Sequence, residues 1–343
     1  MDHHPSRVPR GVQSVINVML YQLDGKMPNM ALMRIASHHR RRGDMVELRH
    51  LRNKAGRVNP TLWDQPDLVY ASTIFTKTAP VTRSLLQQYP NAIVGGTGWD
   101  ASVKLSDFGI SETESLDYSD YPSCQFSMGF TQRGCRLSCE FCVVPKKEGK
   151  VSSVATIHDL WRGEPYPKHI LLMDNDFFGN PDWKDRIKEI QEGRFKVSFN
   201  QGINARMISR EAAEAIASVD YRDDSFTTKR IYTAWDNKPD EAVLFRGLNH
   251  LKDAGVKPDH VMVYMLIGYW AGETETDWLY RWEKLTHWGA RPYPMPYRRN
   301  SLTVGFQRWV VGSYHKRVSW SEFKQSKCRP EKLGKVSLPL FEG

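Results

Sequence analysis

The stretch Gln132-Arg-Gly-Cys-Arg-Leu-Ser-Cys-Glu-Phe-Cys-Val143 contains three of the five cysteines of this 343-residue chain. Cys135, Cys139 and Cys142 have the spacing Cys-x3-Cys-x2-Cys, and an aromatic residue, Phe141, precedes the last of them. Three thiolates this close in sequence can bind one corner of a soft metal centre. Since a four-iron cluster needs four ligands, three cysteines leave one iron open to a small molecule. The stretch therefore predicts chemistry at a metal centre.

Strands and helices alternate on the carboxyl side of this stretch. Apolar runs predict strands at residues 126–131, 169–173, 196–200, 230–235, 261–267 and 292–296, with helices between them. Six such units predict a (β/α)6 partial barrel spanning residues 124–297. Active residues of β/α barrels lie at the carboxyl ends of the strands, and the cysteines directly follow the first predicted strand.

The amino-terminal part of the chain shows a shorter alternation of the same kind. Residues 13–100 predict a doubly wound parallel sheet, with a Rossmann-like α/β fold, after a loose polar arm at residues 1–12. Residues 101–123 are rich in Ser, Asp and Glu without clear periodicity, which predicts a linker between two domains.

Residues 298–343 form a basic, aromatic carboxyl-terminal extension. Cations interleaved with aromatic rings suit the binding of a nucleic-acid backbone with base stacking; the alternative is that Trp309 and Trp320 attach the extension to the barrel. The residues concerned are Arg298, Arg299, Arg308, Lys316, Arg317, Lys324, Lys327, Arg329, Lys332 and Lys335, with Trp309, Tyr314 and Trp320 among them.

Composition narrows the class of protein. Forty per cent hydrophobic and 25% charged residues indicate a globular chain. No apolar run approaches about 18 residues and the first residues lack the apolar segment of a signal peptide, so we expect a cytoplasmic protein without a membrane partner. A net charge of +9 favours an anionic partner such as nucleic acid or a phosphorylated substrate, although a merely basic protein would show the same charge.

A structural zinc site is the main alternative for the cysteines. Such sites need four ligands and usually combine paired Cys-x2-Cys elements. Only Cys139 and Cys142 form such a pair here, and the candidates for completing it are scattered: Cys124, Cys328 and His169. The spacing therefore favours an iron–sulfur centre, and Cys124 and Cys328 are interpreted as ordinary residues.

The cysteine stretch, with Phe141, resembles the signature of radical S-adenosylmethionine (SAM) enzymes. In that superfamily three cysteines hold a [4Fe–4S] cluster, and SAM binds the fourth iron. The resemblance extends to Met173-Asp-Asn-Asp-Phe-Phe-Gly179 and to the pattern Pro-Asn-Met-Ala-Leu-Met at residues 28–33, which is similar to a large uncharacterised group within the superfamily. It covers nearly the whole chain, but it does not imply a particular reaction.

The resemblance implies roles for further residues at the strand ends, and no catalytic residue beyond the cluster ligands. Phe141 and Gly268 would lie beside adenine, and Asp174 and Asn175 would accept the SAM ammonium, although each of these two could instead cap the next turn. Three residues after the third strand would contact the ribose, the carboxylate or the substrate: Asn200, Gln201 and Arg206. Asp236, after the fourth strand, would hold the ribose hydroxyls.

The amino-terminal domain resembles the cobalamin-binding domain of many radical SAM enzymes. That domain often carries Asp-x-His-x-x-Gly after its first strand, whereas this chain has Asp24-Gly-Lys26-Met-Pro-Asn29. A protonated lysine cannot ligate cobalt, and the glycine that would give the cofactor tail room is also absent. Some members bind cobalamin without the histidine, yet a degenerate domain without cobalamin is the favoured interpretation.

These observations lead to the hypothesis of a radical SAM enzyme whose 5′-deoxyadenosyl radical abstracts hydrogen from a substrate. Nucleic acid or a nucleotide is the favoured substrate, and an electron donor of the flavodoxin or ferredoxin kind is the expected partner. The alternatives are a cobalamin-dependent methylase, a peptide- or metabolite-modifying radical enzyme, and a non-catalytic metal-binding nucleic-acid protein.

Overall fold

A computed structural model describes residues 14–51 and 65–325, which form two compact units divided between Cys124 and Gln125. The predicted arm at residues 1–12 lies outside the described residues, as does the part of the carboxyl-terminal extension beyond Gln325. Cys328 is therefore not described.

The first unit contains a four-stranded sheet in the order β2-β1-β3-β4, with every pair of neighbours parallel. Val18 and Leu20 of the central strand pack with helix α1, whereas Met19 and Tyr21 pack with α2 on the opposite face. Because helices cover both faces, the strand is an unbroken apolar run instead of an alternating one. Its elements are β1 (Asn17–Gln22), α1 (Met30–Arg41), β2 (Met45–His50), β3 (Leu68–Ser72), α2 (Ala79–Gln88) and β4 (Ile93–Gly95).

Asn29 starts helix α1 and ties it to the sheet. Its side-chain oxygen accepts hydrogen bonds from the backbone N–H groups of Ala31 and Leu32 at 3.1 and 3.2 Å. Its amide nitrogen donates to Ser72 Oγ at the end of β3, at 2.8 Å. One side chain therefore satisfies two orphan donors of the helix and joins the helix to a strand end.

We expect the substitution Asn29→Ala to lower the free energy of unfolding of the first unit by about 1 kcal/mol, because the helix loses its cap. Urea unfolding followed by circular dichroism measures the effect. Asn29→Ser is the matched control, since its hydroxyl can still accept from the helix and should recover most of the loss. An alanine variant as stable as the wild type would contradict the capping role.

The segment predicted as a linker contains one 3-10 turn at Leu105–Phe108 and is otherwise irregular. It packs back onto the first unit: Ile110 is buried in that unit's core, and the hydroxyl of Tyr121 donates to Gln22 Oε1 at 2.8 Å. Arg40 of α1 pairs with Asp117 and Asp120 of the segment. The acidic composition that suggested a linker thus supplies partners for the basic end of α1.

The second unit contains two parallel sheets and one short antiparallel pair. The sheet orders are β10-β9-β8-β5 and β11-β12-β13, and β6 pairs with β7. The strands are β5 (Ser127–Gly129), β6 (Gln132–Arg133), β7 (Ser152–Ser153), β8 (His169–Leu172), β9 (Lys196–Phe199), β10 (Asp220–Tyr221), β11 (Ile231–Ala234), β12 (Val261–Ile267) and β13 (Arg291–Pro296). The helices are α3 (Val144–Glu148), α4 (Ile157–Leu160), α5 (Trp183–Gly193), α6 (Arg210–Ser218), α7 (Glu241–Asp253), α8 (Glu275–Trp288), α9 (Ser301–Val311) and α10 (Trp320–Gln325).

All six strands predicted for this unit are present, and the mixed α/β class with parallel sheets is confirmed. They are β5, β8, β9, β11, β12 and β13. The backbone N–H of Ile203, after β9, donates to Tyr232 O on β11 at 2.8 Å and so links the two sheets. The carboxyl ends of neighbouring strands therefore lie side by side.

The aromatic residues of the carboxyl-terminal extension are part of the core of the second unit. Trp309 and Trp320 are 2% and 6% exposed, and Trp309 packs on Trp282 of α8 with 4.7 Å between ring centroids. The indole nitrogen of Trp320 donates to Glu275 at 2.6 Å. These two rings attach the extension to the unit, so they offer no face to a nucleic-acid base.

Candidate metal and cofactor site

The three clustered cysteines lie on a loop that joins β6 to α3. Cys139 and Cys142 line one open cavity of about 360 Å³ together with Ser138, Glu140, Pro145 and Lys146. The backbone N–H of Cys142 donates to Cys139 O at 3.0 Å, which holds the last two cysteines in one turn. Burial raises the pKa of the Cys135 and Cys142 thiols, and the neighbouring cysteines add to the rise.

The donor chemistry of this loop suits a thiophilic metal centre, because Cys139 and Cys142 line one cavity and both influence the pKa of the third thiol, Cys135. No group of three or more His, Cys, Asp or Glu side chains among residues 14–51 and 65–325 is arranged to hold a metal ion directly. Cys328, one of the three fourth ligands considered for zinc, lies outside the described residues. Cys124 belongs to the first unit, and the ring of His169 stacks on Phe226 at 4.7 Å.

Asp174, at the end of β8, holds the start of the cysteine loop. One carboxylate oxygen accepts the backbone N–H groups of Thr131 and Gln132 at 2.7 and 2.8 Å, and the other accepts the Thr131 hydroxyl at 2.8 Å. The side chain is 3% exposed, and burial raises its pKa to about 7 although the three donors act in the opposite direction. Both oxygens of Asp174 are thus engaged within the protein, and its role as an acceptor for the SAM ammonium stays a prediction.

The two residues after Asp174 bind the same loop further along. Asn175 donates to Glu148 Oε2 at 2.8 Å, and that oxygen also accepts the backbone N–H of Gly134. Asp176 accepts two bonds from the Arg136 guanidinium, at 2.7 and 2.9 Å. The polar motif after β8 therefore binds residues before the cysteine loop, within it and in α3 after it.

Arg206 brings the end of β9 to the cysteine loop. Its guanidinium donates to Asp240 at 2.8 Å and to Cys139 Sγ at 3.8 Å. Burial opposes the charge of Arg206, but the bonds to Asp240 and Cys139 outweigh that effect and raise its pKa. A fixed positive charge therefore lies beside one of the three thiols.

Asp236, after β11, lies near enough to Cys142 to affect its pKa. Burial raises its pKa to about 6, while the positive charges of Arg206 and Arg281 act in the opposite direction. Its charge in turn contributes to the raised pKa of Cys142. Arg206, Asp236 and the two cysteines thus form one electrostatically connected group.

An aromatic wall stands beside the last cysteine. The ring of Phe141 lies edge-on to Tyr269 at 5.5 Å and to Trp270 at 6.4 Å, both in the loop after β12. The indole nitrogen of Trp270 donates to the backbone oxygen of Asp236 at 2.8 Å. Gly268 begins this loop with a φ of +74°, a conformation that favours glycine. The predicted neighbours Phe141, Asp236 and Gly268 therefore come together.

Asn200 and Gln201 follow β9 and bond to each other. The Gln201 amide donates to Asn200 Oδ1 at 3.1 Å, and Gln201 is exposed. Gly202 has a φ of +87° and approaches Tyr232 O. These contacts match a turn around Gly202, so ligand binding by Asn200 and Gln201 stays a prediction.

Arg281 organises the strand ends and was missed from the sequence. Its guanidinium donates to Trp235 O and Leu266 O, each at 2.9 Å, and pairs with Glu273. Glu273 in turn accepts the backbone N–H of Gly268 at 2.7 Å. The sequence pattern could have indicated this role, because Arg281 lies three residues after Trp278 on the buried face of α8. A buried arginine needs hydrogen-bond partners within the protein.

Contacts within the first unit account for Gly96, Gly98 and Asp24. A side chain at Gly96 or Gly98 would collide with the backbone of Thr73 or Phe75. The carboxylate of Asp24 accepts four bonds from the loop after β3, from Thr73, Ile74, Phe75 and Thr78. These contacts account for the three residues within the first unit, and a degenerate domain without cobalamin stays a prediction.

A scan against protein-family models found no match to this chain, and a search of curated proteins found none either. In residues 14–51 and 65–325, no helix has both the length and the apolar character that a membrane crossing requires. The residues of the site and their geometry therefore carry the functional interpretation.

Proposed function

We propose that this chain is a radical SAM enzyme, with Cys135, Cys139 and Cys142 as ligands of a [4Fe–4S] cluster. When bound, such a cluster supplies the electron for reductive cleavage of SAM to methionine and a 5′-deoxyadenosyl radical, which abstracts hydrogen from the substrate. The observation that carries the proposal is the position of Arg206 and Asp236, from two different strand ends, beside Cys139 and Cys142.

The order of the strands supports the barrel that this function would use. β5, β8 and β9 follow one another in one parallel sheet, and β11, β12 and β13 follow one another in the second. We interpret the six strands as a (β/α)6 partial barrel joined at the Ile203–Tyr232 bond. In that arrangement the cysteine loop and the loops after β8, β9, β11 and β12 share the carboxyl-terminal edge, where barrel enzymes have their active sites.

The residues of the chain have distinct tasks in this proposal. Arg206 places a positive charge beside the sulfur of Cys139, one of the proposed cluster ligands. Phe141 and Trp270 pack edge-on next to Cys142 in the chain and would shield a cluster bound there from water. Asp236, near Cys142, would offer a polar acceptor for a cofactor hydroxyl. Asp174 and Asn175 act one step further out, because they hold the loop that carries the cysteines.

Anaerobic reconstitution with iron and sulfide, followed by addition of SAM and dithionite, tests the proposal. We expect iron and sulfide to be incorporated and 5′-deoxyadenosine to form in a manner that depends on the reductant. A reconstituted cluster that yields no 5′-deoxyadenosine would refute the proposal. One bound zinc without iron would support the non-catalytic alternative instead.

A further inference from the structure

Beside the cysteine cavity lies a surface that we call the aromatic–basic rim: Tyr269, Tyr297, Arg298 and Arg299. The backbone N–H of Tyr297 donates to Ile267 O at 2.9 Å, so the rim continues the pairing of β13 with β12. The rings of Tyr269 and Tyr297 are 4.7 Å apart and nearly perpendicular. Since Tyr269 also contacts Phe141, the rim is connected to the loop that carries Cys142.

The side chains of the rim are available to a ligand. Tyr297 is 50% exposed, and Arg298 and Arg299 are exposed as well. Within the part of the chain that the structure describes, neither arginine pairs with a carboxylate. Glu140 of the cysteine loop accepts a hydrogen bond from Tyr269. The rim therefore presents an open ring face next to two unneutralised cations.

The backbone under the rim is held in place before any ligand arrives. The oxygen of Arg298 accepts a hydrogen bond from the Thr303 hydroxyl at 2.8 Å, and Asn300 caps α9 through Leu302 and Thr303. A surface whose backbone is already ordered loses less entropy on binding than a mobile one. This sets the rim apart from a basic tail that would have to fold on its ligand.

We propose that the aromatic–basic rim binds single-stranded nucleic acid, with an unpaired base stacked on Tyr297 and phosphates on Arg298 and Arg299. Aromatic rings with adjacent cations are the usual means of binding unpaired strands, because every base has a face to stack and every nucleotide carries a phosphate. Lys146, which lines the cysteine cavity, extends the positive charge towards the site. That the bound strand is the substrate of the enzyme rests on the proposed function. That the rim binds single-stranded nucleic acid does not.

The burial of Trp309 and Trp320 sharpens this inference. The cations and rings of the extension suggested a nucleic-acid surface along its whole length, but those two indoles pack in the core. Tyr297 is an exposed ring that directly precedes two exposed arginines in the chain. The surface is therefore expected at the beginning of the extension, at the edge nearest the cysteines.

Fluorescence anisotropy with a labelled single-stranded RNA of about 10 nucleotides tests the rim, since single binding modules cover about 4 to 16 nucleotides. We expect the wild-type protein to bind the single strand more tightly than a duplex of the same sequence. The double substitution Arg298→Gln with Arg299→Gln should reduce the slope of log affinity against log salt by about 1.4, which is about 0.7 for each lost phosphate contact. Tyr297→Ala should weaken binding at least about fivefold, and Tyr297→Phe should restore it because the ring remains.

Lys252→Gln with Lys257→Gln is the matched control. It removes the same charge at the opposite edge of the sheet, before the start of β12, and should leave the slope unchanged. An equal reduction of the salt slope in the lysine control and in the arginine variant would overturn the inference. Wild-type protein that does not bind the single-stranded RNA would also overturn it. Displacement of the RNA by polyglutamate at equal charge would also overturn it, because the rim would then bind acidic polymers in general.

The same preparations, before and after reconstitution, separate this inference from the proposed function. Protein that forms 5′-deoxyadenosine but binds no RNA overturns the rim alone. Protein that binds RNA through the rim but cleaves no SAM overturns the proposed function and leaves the binding surface supported. Circular dichroism of each variant establishes that it is folded.

Discussion

Replacement of Cys139 by Ala is expected to abolish both cluster incorporation and 5′-deoxyadenosine formation. Three cysteines supply the protein ligands of the proposed four-iron cluster, so the loss of one leaves two and opens a second iron. Cys139 is also the thiol that accepts a hydrogen bond from Arg206; without it, Asp240 and Asn204 remain as partners of that guanidinium among the described residues. We expect iron per chain to fall sharply and product to fall to background, measured by colorimetric iron analysis and by chromatography.

Cys124→Ala is the matched control for this prediction. It also removes a partly hydrophobic thiol, but Cys124 belongs to the first unit and lies outside the Cys-x3-Cys-x2-Cys stretch. The control should incorporate as much iron as the wild type. Product formation that survives in Cys139→Ala would rule out the proposed cluster site, because the cluster would not then depend on the loop.

Much of the fold could be predicted because long apolar runs fit only buried parallel strands. β12 has the predicted bounds, and the unbroken apolar run in β1 follows from a helix on each face of the sheet. The two-residue strands β6, β7 and β10 could not be predicted, since two residues show no period. The segment at residues 101–123 looked like a linker because its contacts to α1 are polar and long-range.

The site was predictable in location but not in detail. Arg206, Asp236 and Gly268 follow strand ends, and the structure has Arg206 and Asp236 near the cysteine loop; their binding roles stay predictions. Residue type alone, however, does not determine which hydrogen-bond partner a side chain has in the folded protein. Asp174 and Asn175 offer the chemistry that an ammonium group needs, yet their acceptors and donors are engaged by Thr131, Gln132 and Glu148.

Replacement of Asp174 is expected to cause a large loss of stability, because its carboxylate accepts the backbone N–H groups of Thr131 and Gln132. Asp174→Ala would leave two buried backbone N–H groups without acceptors, each costing about 1 to 3 kcal/mol. We expect the free energy of unfolding of the second unit to fall by about 2 to 6 kcal/mol, measured by urea unfolding. Asp174→Asn is the control, because its oxygen can still accept both N–H groups and its amide can donate to the Thr131 hydroxyl.

The pH dependence of the same pair of proteins separates burial from hydrogen bonding. The pKa of Asp174 is about 7 in the folded protein and about 3.9 when unfolded, so between these values the folded state binds more protons. Raising the pH through this window must therefore destabilise the wild type, by about 1.4 kcal/mol per pH unit and about 4 kcal/mol at most. The asparagine variant lacks this loss, so it should gain on the wild type from about pH 4 to about pH 7 and then stay level. If the wild type instead gains on the variant as the pH rises, the three donors outweigh burial and hold Asp174 ionised. The cysteine loop would then be fastened by a charge, and it would loosen in acid.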